Sequence, residues 1–166
     1  MEVDIPPDLA PLISVFGVRM ATHRLLAELA VESFAEHLSI GKKWTAATPL
    51  PGGHFPVDGM ADLVRALRAA YPFVAEVDAE RMVLAYGTRA VGILTGARRA
   101  EDLGRQFGHG LSEAELSYLM KEEWAATADD VLWRRTKLGL RYSAAEATAL
   151  DQWMRRVRSP AAAPAA

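Results

Sequence analysis

Hydrophobic positions divide the chain into two regimes. Early on, Leu12-Ile13-Ser14-Val15-Phe16 is a short apolar run closed by Gly17, which predicts a buried strand over 12–16. A helical rhythm follows over 20–38, with Leu26, Leu29, Ala30, Phe34 and Leu38 at helical spacing and Gly41 as the stop. Beyond Asp58 every apolar cluster is helical. Leu63, Val64, Leu67 and Tyr71 share a face that ends at Pro72. Asp78 is placed to cap a short helix carrying Met82, Val83 and Tyr86, stopped by Gly87. Thr88 is placed to cap the next, with Val91 and Leu94 inward. Ser112-x-x-Glu115 and Ser143-x-x-Glu146 have the form of capping boxes, the first before Leu116, Leu119 and Met120, the second before Leu150, Trp153, Met154 and Val157.

The stretch Thr127–Leu140 has both ends of a helix marked. Thr127 can cap it, Asp129 and Asp130 suit its positive end, Arg134, Arg135 and Lys137 suit its negative end, and Gly139 is the expected stop. Val131, Leu132 and Trp133 are consecutive, so at about 100° per residue they spread over about 200° of surface. That exceeds the stripe of an ordinary surface helix and predicts a hub with neighbours on more than one side.

The remaining segments are punctuation. Residues 1–11 are Pro-rich and expected to be extended or loose, residues 39–58 form a connection broken by Pro49, Pro51, Gly52, Gly53 and Pro56, and residues 159–166 are an Ala/Pro tail expected to be disordered. The expected fold is mainly α. A strand–turn–helix and linker occupy 1–58, and a compact all-α helical bundle domain occupies 59–158. No second strand is evident, so strand 12–16 is expected to be orphaned, paired in a dimer, or part of a sheet outside this chain.

Composition narrows the function classes. The chain has 166 residues, 51% of them hydrophobic, a net charge of −2 and no cysteine. Disulfides, thiolate catalysis and Cys-based zinc sites are excluded, and the overall charge gives no pull towards nucleic acid. No run reaches the roughly 18 apolar residues of a membrane span, and the start lacks signal-peptide character, so a cytoplasmic location is expected. His23, His37, His54 and His109 stand at no metal-ligand spacing, so no metal site is expected. Glu122-Glu123 and Asp129-Asp130 point to different helix sides, and no catalytic set emerges. Trp124 and Trp133 read as core aromatics. Arg134, Arg135 and Lys137, with Arg141 nearby, read as a dipole-matched helix end, with an anion site or docking face as the sharper reading.

Several separated motifs carry a family resemblance. Pro49-Leu50-Pro51-Gly52-Gly53, Arg81 to Arg89 with Ala85-Tyr86-Gly87-Thr88 at its centre, Asp102-Leu103-Gly104 with Phe107-Gly108-His109, and Glu113 to Trp124 followed by Ala128 to Leu140 stand in order over about residues 12–156. In this the chain resembles the C-terminal region of the FAD-dependent, respiratory glycerol-3-phosphate dehydrogenases. The resemblance implies oxidation of glycerol 3-phosphate to dihydroxyacetone phosphate with electrons passed to quinone, and peripheral association with the inner face of the membrane. It makes residues 1–58 the last strand and helix of a flavin domain plus a linker.

The family's turn Gly-Gly-Lys-x-Thr-Thr-Tyr-Arg reads here Gly17-Val18-Arg19-Met20-Ala21-Thr22-His23-Arg24. Gly17, Arg19, Met20 and Thr22 are thereby implied as flavin contacts, provided a flavin domain is supplied. Val18 replaces a Gly there, which works against a position of positive φ. The dinucleotide-cradling strand, Gly-rich turn and helix are not in this sequence. The lone chain is thus expected neither to hold FAD tightly nor to turn over. A separately supplied N-terminal flavin-domain chain, or self-association through strand 12–16, is the expected partner. The rival expectation is a stand-alone helical interaction module derived from the same domain.

Overall fold

A computed structural model of the chain describes residues 1–17 and 19–158; Val18 and the Ala/Pro tail 159–166 lie outside the described residues. The chain divides into two compact units, Met1–Leu50 and Pro51–Ala166.

In the first unit, β1 (Glu2–Asp4) pairs antiparallel with β2 (Leu12–Ser14), with Val3 opposite Ile13. This corrects the expectation of an orphaned strand. The chain's own first residues, read as loose because of their prolines, supply the partner, since Pro6 and Pro7 fall in the connection and leave the amides of 2–4 free to pair. The strand is also shorter than 12–16 and is not buried, with Leu12 61% and Phe16 69% exposed.

A 3-10 turn, Met20–Thr22, leads into α1 (His23–Glu32). The helix therefore ends short of Leu38. At Ser33 both the backbone N–H and the hydroxyl donate to Leu29 O (3.0 and 2.9 Å), and the next amides tighten to i−3 bonds, Phe34 to Val31 and Ala35 to Glu32. No described residue of 1–50 is buried.

The second unit holds the whole core. α2 (Met60–Ala70) packs on α3 (Glu76–Tyr86), α3 on α4 (Ala90–Leu94), and α4 on α5 (Glu113–Glu122); α6 (Ala144–Arg158) closes the bundle. Leu67, Met82, Val83, Leu94, Leu116, Leu119, Val131, Leu132, Leu150 and Met154 are among the side chains inside. Val91 points out rather than in, at 46% exposed; Ala90 and Ile93 take the inward places. α3 begins at Glu76, so Asp78 lies within its first turn instead of capping it.

The unit boundary at Leu50/Pro51 falls before Asp58 because Gly52 is drawn into the helical unit. Thr88 N–H donates to Gly52 O (3.0 Å) where α3 ends. Gly52 and Gly87 both have positive φ, 85° and 54°. A Cβ on either would lie 2.3 Å from Tyr86 O or 2.0 Å from Gly52 O, so only glycine permits this backbone approach.

The hub is also reshaped. After a start at Ala128, residues Asp130–Arg135 form a π-helix, and Thr136 N–H donates to Val131 O (3.0 Å). The helix stops at Lys137, which is left-handed (φ 60°), and not at Gly139, which lies in the following 3-10 turn Leu138–Leu140 beneath the Trp133 ring. Val131 and Leu132 are buried. α6 reaches the same segment from another side, with Asp151 accepting from Ala128 N–H (3.3 Å) and Arg158 donating to Ala126 O (2.6 Å). The multi-sided role expected of this stretch is therefore present. Trp124, expected in the core, is 85% exposed, and Trp133 is half-exposed.

Candidate functional site

The most tightly built polar group in the helical unit is one that sequence reasoning missed. Ser112 caps α5 by accepting from Glu115 N–H (3.3 Å), but the Glu115 side chain does not return to close the box. It turns inward, fully buried, and accepts from Arg81 Nη1 and Nη2 (both 2.7 Å) and from the Tyr86 hydroxyl (2.6 Å). Arg81 Nη2 also donates to Gly110 O (2.9 Å), which ties the loop before α5 to α3. Asp78 stands 4.0 Å from Arg81 Nε, which is buried without a hydrogen-bond partner.

This bidentate fork is the strong form of the ion pair. Burial alone would lower the Arg81 pKa, but the hydrogen bonds and charge of Glu115 outweigh it and hold Arg81 above its ordinary value. Burial, then the Glu115 charge, drives the Tyr86 hydroxyl far above the usual phenol range, so it stays a donor. With both carboxylate oxygens occupied and the phenol locked neutral, the group fixes geometry between α3, α5 and the loop; it has no free acid or base to offer a substrate.

Beside it the loop tip is also held. Tyr142 OH donates to Gly108 O (3.2 Å), and the His109 ring packs on Tyr142 at 5.1 Å, with Nε2 4.0 Å from Glu146. Burial, then the neighbouring Glu146 charge, pushes Tyr142 up to about 12. The second predicted capping box closes in full: Glu146 accepts from Ser143 N–H (2.8 Å) and hydroxyl (2.7 Å), and Ser143 Oγ accepts from Glu146 N–H (3.3 Å).

The flavin-contact residues implied by resemblance lie together in the first unit. Gly17 is left-handed (φ 69°) with open space around it, Arg19 is extended, and Thr22 donates from N–H and hydroxyl to Arg19 O (3.0 and 3.2 Å). Met20 is 88% exposed.

The basic residues of the hub do not converge. Arg134 pairs with Asp130 (2.6 Å), Arg135 Nε donates to Glu123 O (2.9 Å), and Lys137 bonds to Trp133 O. Asp130 is the real anchor. It accepts from the N–H groups of Ala126 and Thr127 and from the Thr127 hydroxyl, which together bring its pKa down to about 2. Among the described residues no cluster of three or more His, Asp and Glu is arranged to hold a metal ion. Nor is any helix among the described residues long and apolar enough to cross a membrane.

Residues 43–160 match the family model for the C-terminal domain of alpha-glycerophosphate oxidase. The chain belongs to that family. It is 42% identical over 146 residues to the aerobic glycerol-3-phosphate dehydrogenase of Escherichia coli (strain K12), covering 87% of this chain and 29% of that protein. It is 40% identical over 145 residues to a glycerol-3-phosphate dehydrogenase of Pseudomonas aeruginosa, covering 87% and 28%. It is 38% identical over 146 residues to a D-erythritol 1-phosphate dehydrogenase of Brucella abortus (strain 2308), covering 87% and 29%. The chain thus spans under a third of the length of these relatives and corresponds to their C-terminal region.

Proposed function

We propose that this chain is the helical C-terminal domain of a FAD-dependent dehydrogenase of polyol phosphates of the glycerol 3-phosphate kind, and that it works only when joined by the flavin-binding part of such an enzyme. One observation carries the reading. Residues 51–158 close a complete core, whereas the described residues of 1–50 include no buried side chain and leave Leu12, Phe16, Met20, Leu25, Val31 and Trp44 exposed. Leaving such side chains in water forgoes about 25 cal/mol for each Å² of apolar surface that burial would remove. A two-stranded sheet of three-residue strands is also too small to stand alone. A larger sheet and its helices would cover this surface, and the family's flavin domain is the body of that kind.

The helical unit then acts as a cap. It contributes no acid, base or hydride carrier, and its Arg81–Glu115–Tyr86 clamp keeps it rigid against the flavin domain. Gly17, Arg19, Met20 and Thr22 would lie near the flavin in the joined protein, and the basic hub end at Arg134, Arg135 and Lys137 would serve docking. The substrate is a polyol phosphate; relatives named for glycerol 3-phosphate and for erythritol 1-phosphate are similar to this chain to nearly the same degree. Flavin absorbance on the purified chain, titrated with FAD and followed by either substrate and a dye acceptor, tests this. No flavin retention by the chain alone is the expected result, and dye reduction by the chain alone overturns the proposal.

A stand-alone interaction module is the second reading, favoured by the β1–β2 pairing, which satisfies one edge of the strand from within the chain. It leaves the faces of the sheet uncovered, and for that reason we rank it second.

A further inference from the structure

Trp124 is the most exposed tryptophan described, at 85%, and its backbone is left-handed (φ 56°). α5 ends there. The reversal brings Ala125 N–H back to Leu119 O (3.0 Å), and Glu123 N–H donates to the same oxygen (3.2 Å). This is the helix-terminating position that glycine ordinarily fills, because a Cβ is penalised in the left-handed region. The turn is held from both sides. Ala125 is buried at 3%, and Arg135 Nε donates to Glu123 O (2.9 Å). The backbone geometry therefore persists whatever side chain stands at 124, and the indole contributes little to the core. A residue that strains the backbone and also leaves a large ring in water is unfavourable twice over within this chain.

We propose that Trp124 is a docking anchor whose ring inserts into an apolar pocket on the flavin-binding part of the enzyme. This rests on the reading given under Proposed function. The occupant follows from length. The relatives carry more than two thirds of their chains outside the matched region, so a body of that size is available to meet the ring. Large rigid aromatics fixed on a pinned turn are the typical anchors of such interfaces. Arg135, which donates to the carbonyl of Glu123, puts a cation on the same turn.

The test uses the full 166-residue chain, wild type and the variants Trp124→Ala and Trp124→Gly, each co-expressed with an E. coli aerobic glycerol-3-phosphate dehydrogenase truncated to remove its matched C-terminal region. Co-purification and retained flavin are read, together with the melting temperature of each chain alone. Wild type is expected to co-purify, and both variants to bind about 30-fold more weakly. Trp124→Gly alone is expected to melt about 2–4 °C higher than wild type, since the left-handed strain is removed. Variants that co-purify as well as wild type overturn the anchor while leaving the flavin-domain reading intact. A Trp124→Gly chain that melts several degrees lower shows a packing role and also overturns it. A wild-type chain that fails to co-purify overturns the flavin-domain reading, and the anchor with it.

Discussion

Glu115→Gln should be the most damaging near-isosteric change in the helical unit. The side chain keeps its shape and one acceptor, but loses the charge that two Arg81 N–H groups and the Tyr86 hydroxyl converge on at 2.6–2.7 Å. Arg81 is then left four-fifths buried beside a neutral amide, with Asp78 at 4.0 Å as the nearest remaining acid. The new amide N–H₂ also faces donors. Removing one partner of a buried pair costs about 3–5 kcal/mol. The residual exposure of Arg81 and the help of Asp78 bring the expectation to about 2–4 kcal/mol. At about 2–4 °C per kcal/mol for a chain of this size, the melting temperature should fall by roughly 5–15 °C.

Urea unfolding followed by helical circular dichroism and by fluorescence of the buried Trp153 measures this, with an unchanged m-value as the control. The companion variant replaces the set with apolar residues, Arg81→Met, Tyr86→Phe and Glu115→Leu. It should cost much less than Glu115→Gln, because the desolvation of both charges is removed together. A loss below about 1 kcal/mol for Glu115→Gln, or a triple variant worse than the single one, would refute the claim that the network is a charge-balanced clamp.

Further expectations concern backbone and pH. Gly87→Ala should lower stability by at least about 2 kcal/mol in the same urea assay, because its Cβ would meet Gly52 O at 2.0 Å with φ already at 54°. Asp130 has its folded pKa brought down to about 2 from 3.8, so its contribution is present above pH 4 and is lost as pH falls towards 2; Asp130→Asn should flatten that acid limb in a plot of stability against pH. Tyr142 is shifted the other way, to about 12 from 10.0, so its contribution is present below pH 10 and lost as pH rises towards 12; Tyr142→Phe should flatten the alkaline limb. Arg134→Ala removes one largely exposed pair with Asp130, and should change stability by no more than about 1 kcal/mol.

What the sequence revealed and what it hid have physical causes. Helices with a clear apolar stripe and a local cap were legible: Leu150, Trp153 and Met154 are buried on α6, behind the Ser143–Glu146 box. Local rules failed where a distant partner competed. Ser112-x-x-Glu115 has the same form, yet Arg81, 34 positions away in sequence, takes the carboxylate inward, and no local spacing signals that. Lys137 ends the hub ahead of Gly139 because the π-helix shifts the last turn, and Trp124 stands outside because a left-handed residue turns its side chain away from the face its neighbours share. Strand β2 was legible as a strand, but its partner β1 was hidden by the prolines between them. Of the positions implied by resemblance, Gly17 is left-handed and Met20 and Thr22 lie in a 3-10 turn, in a unit whose described residues are none of them buried.

The central claim is that this chain supplies a cap and not a flavin site. It is tested most directly by adding FAD, glycerol 3-phosphate and a dye acceptor to the purified chain, first alone and then co-expressed with the truncated E. coli relative. The account predicts no bound flavin and no dye reduction for the chain alone, and flavin retention with reduction above that of the truncated relative when the two are combined. Flavin bound and dye reduced by the chain alone would contradict it.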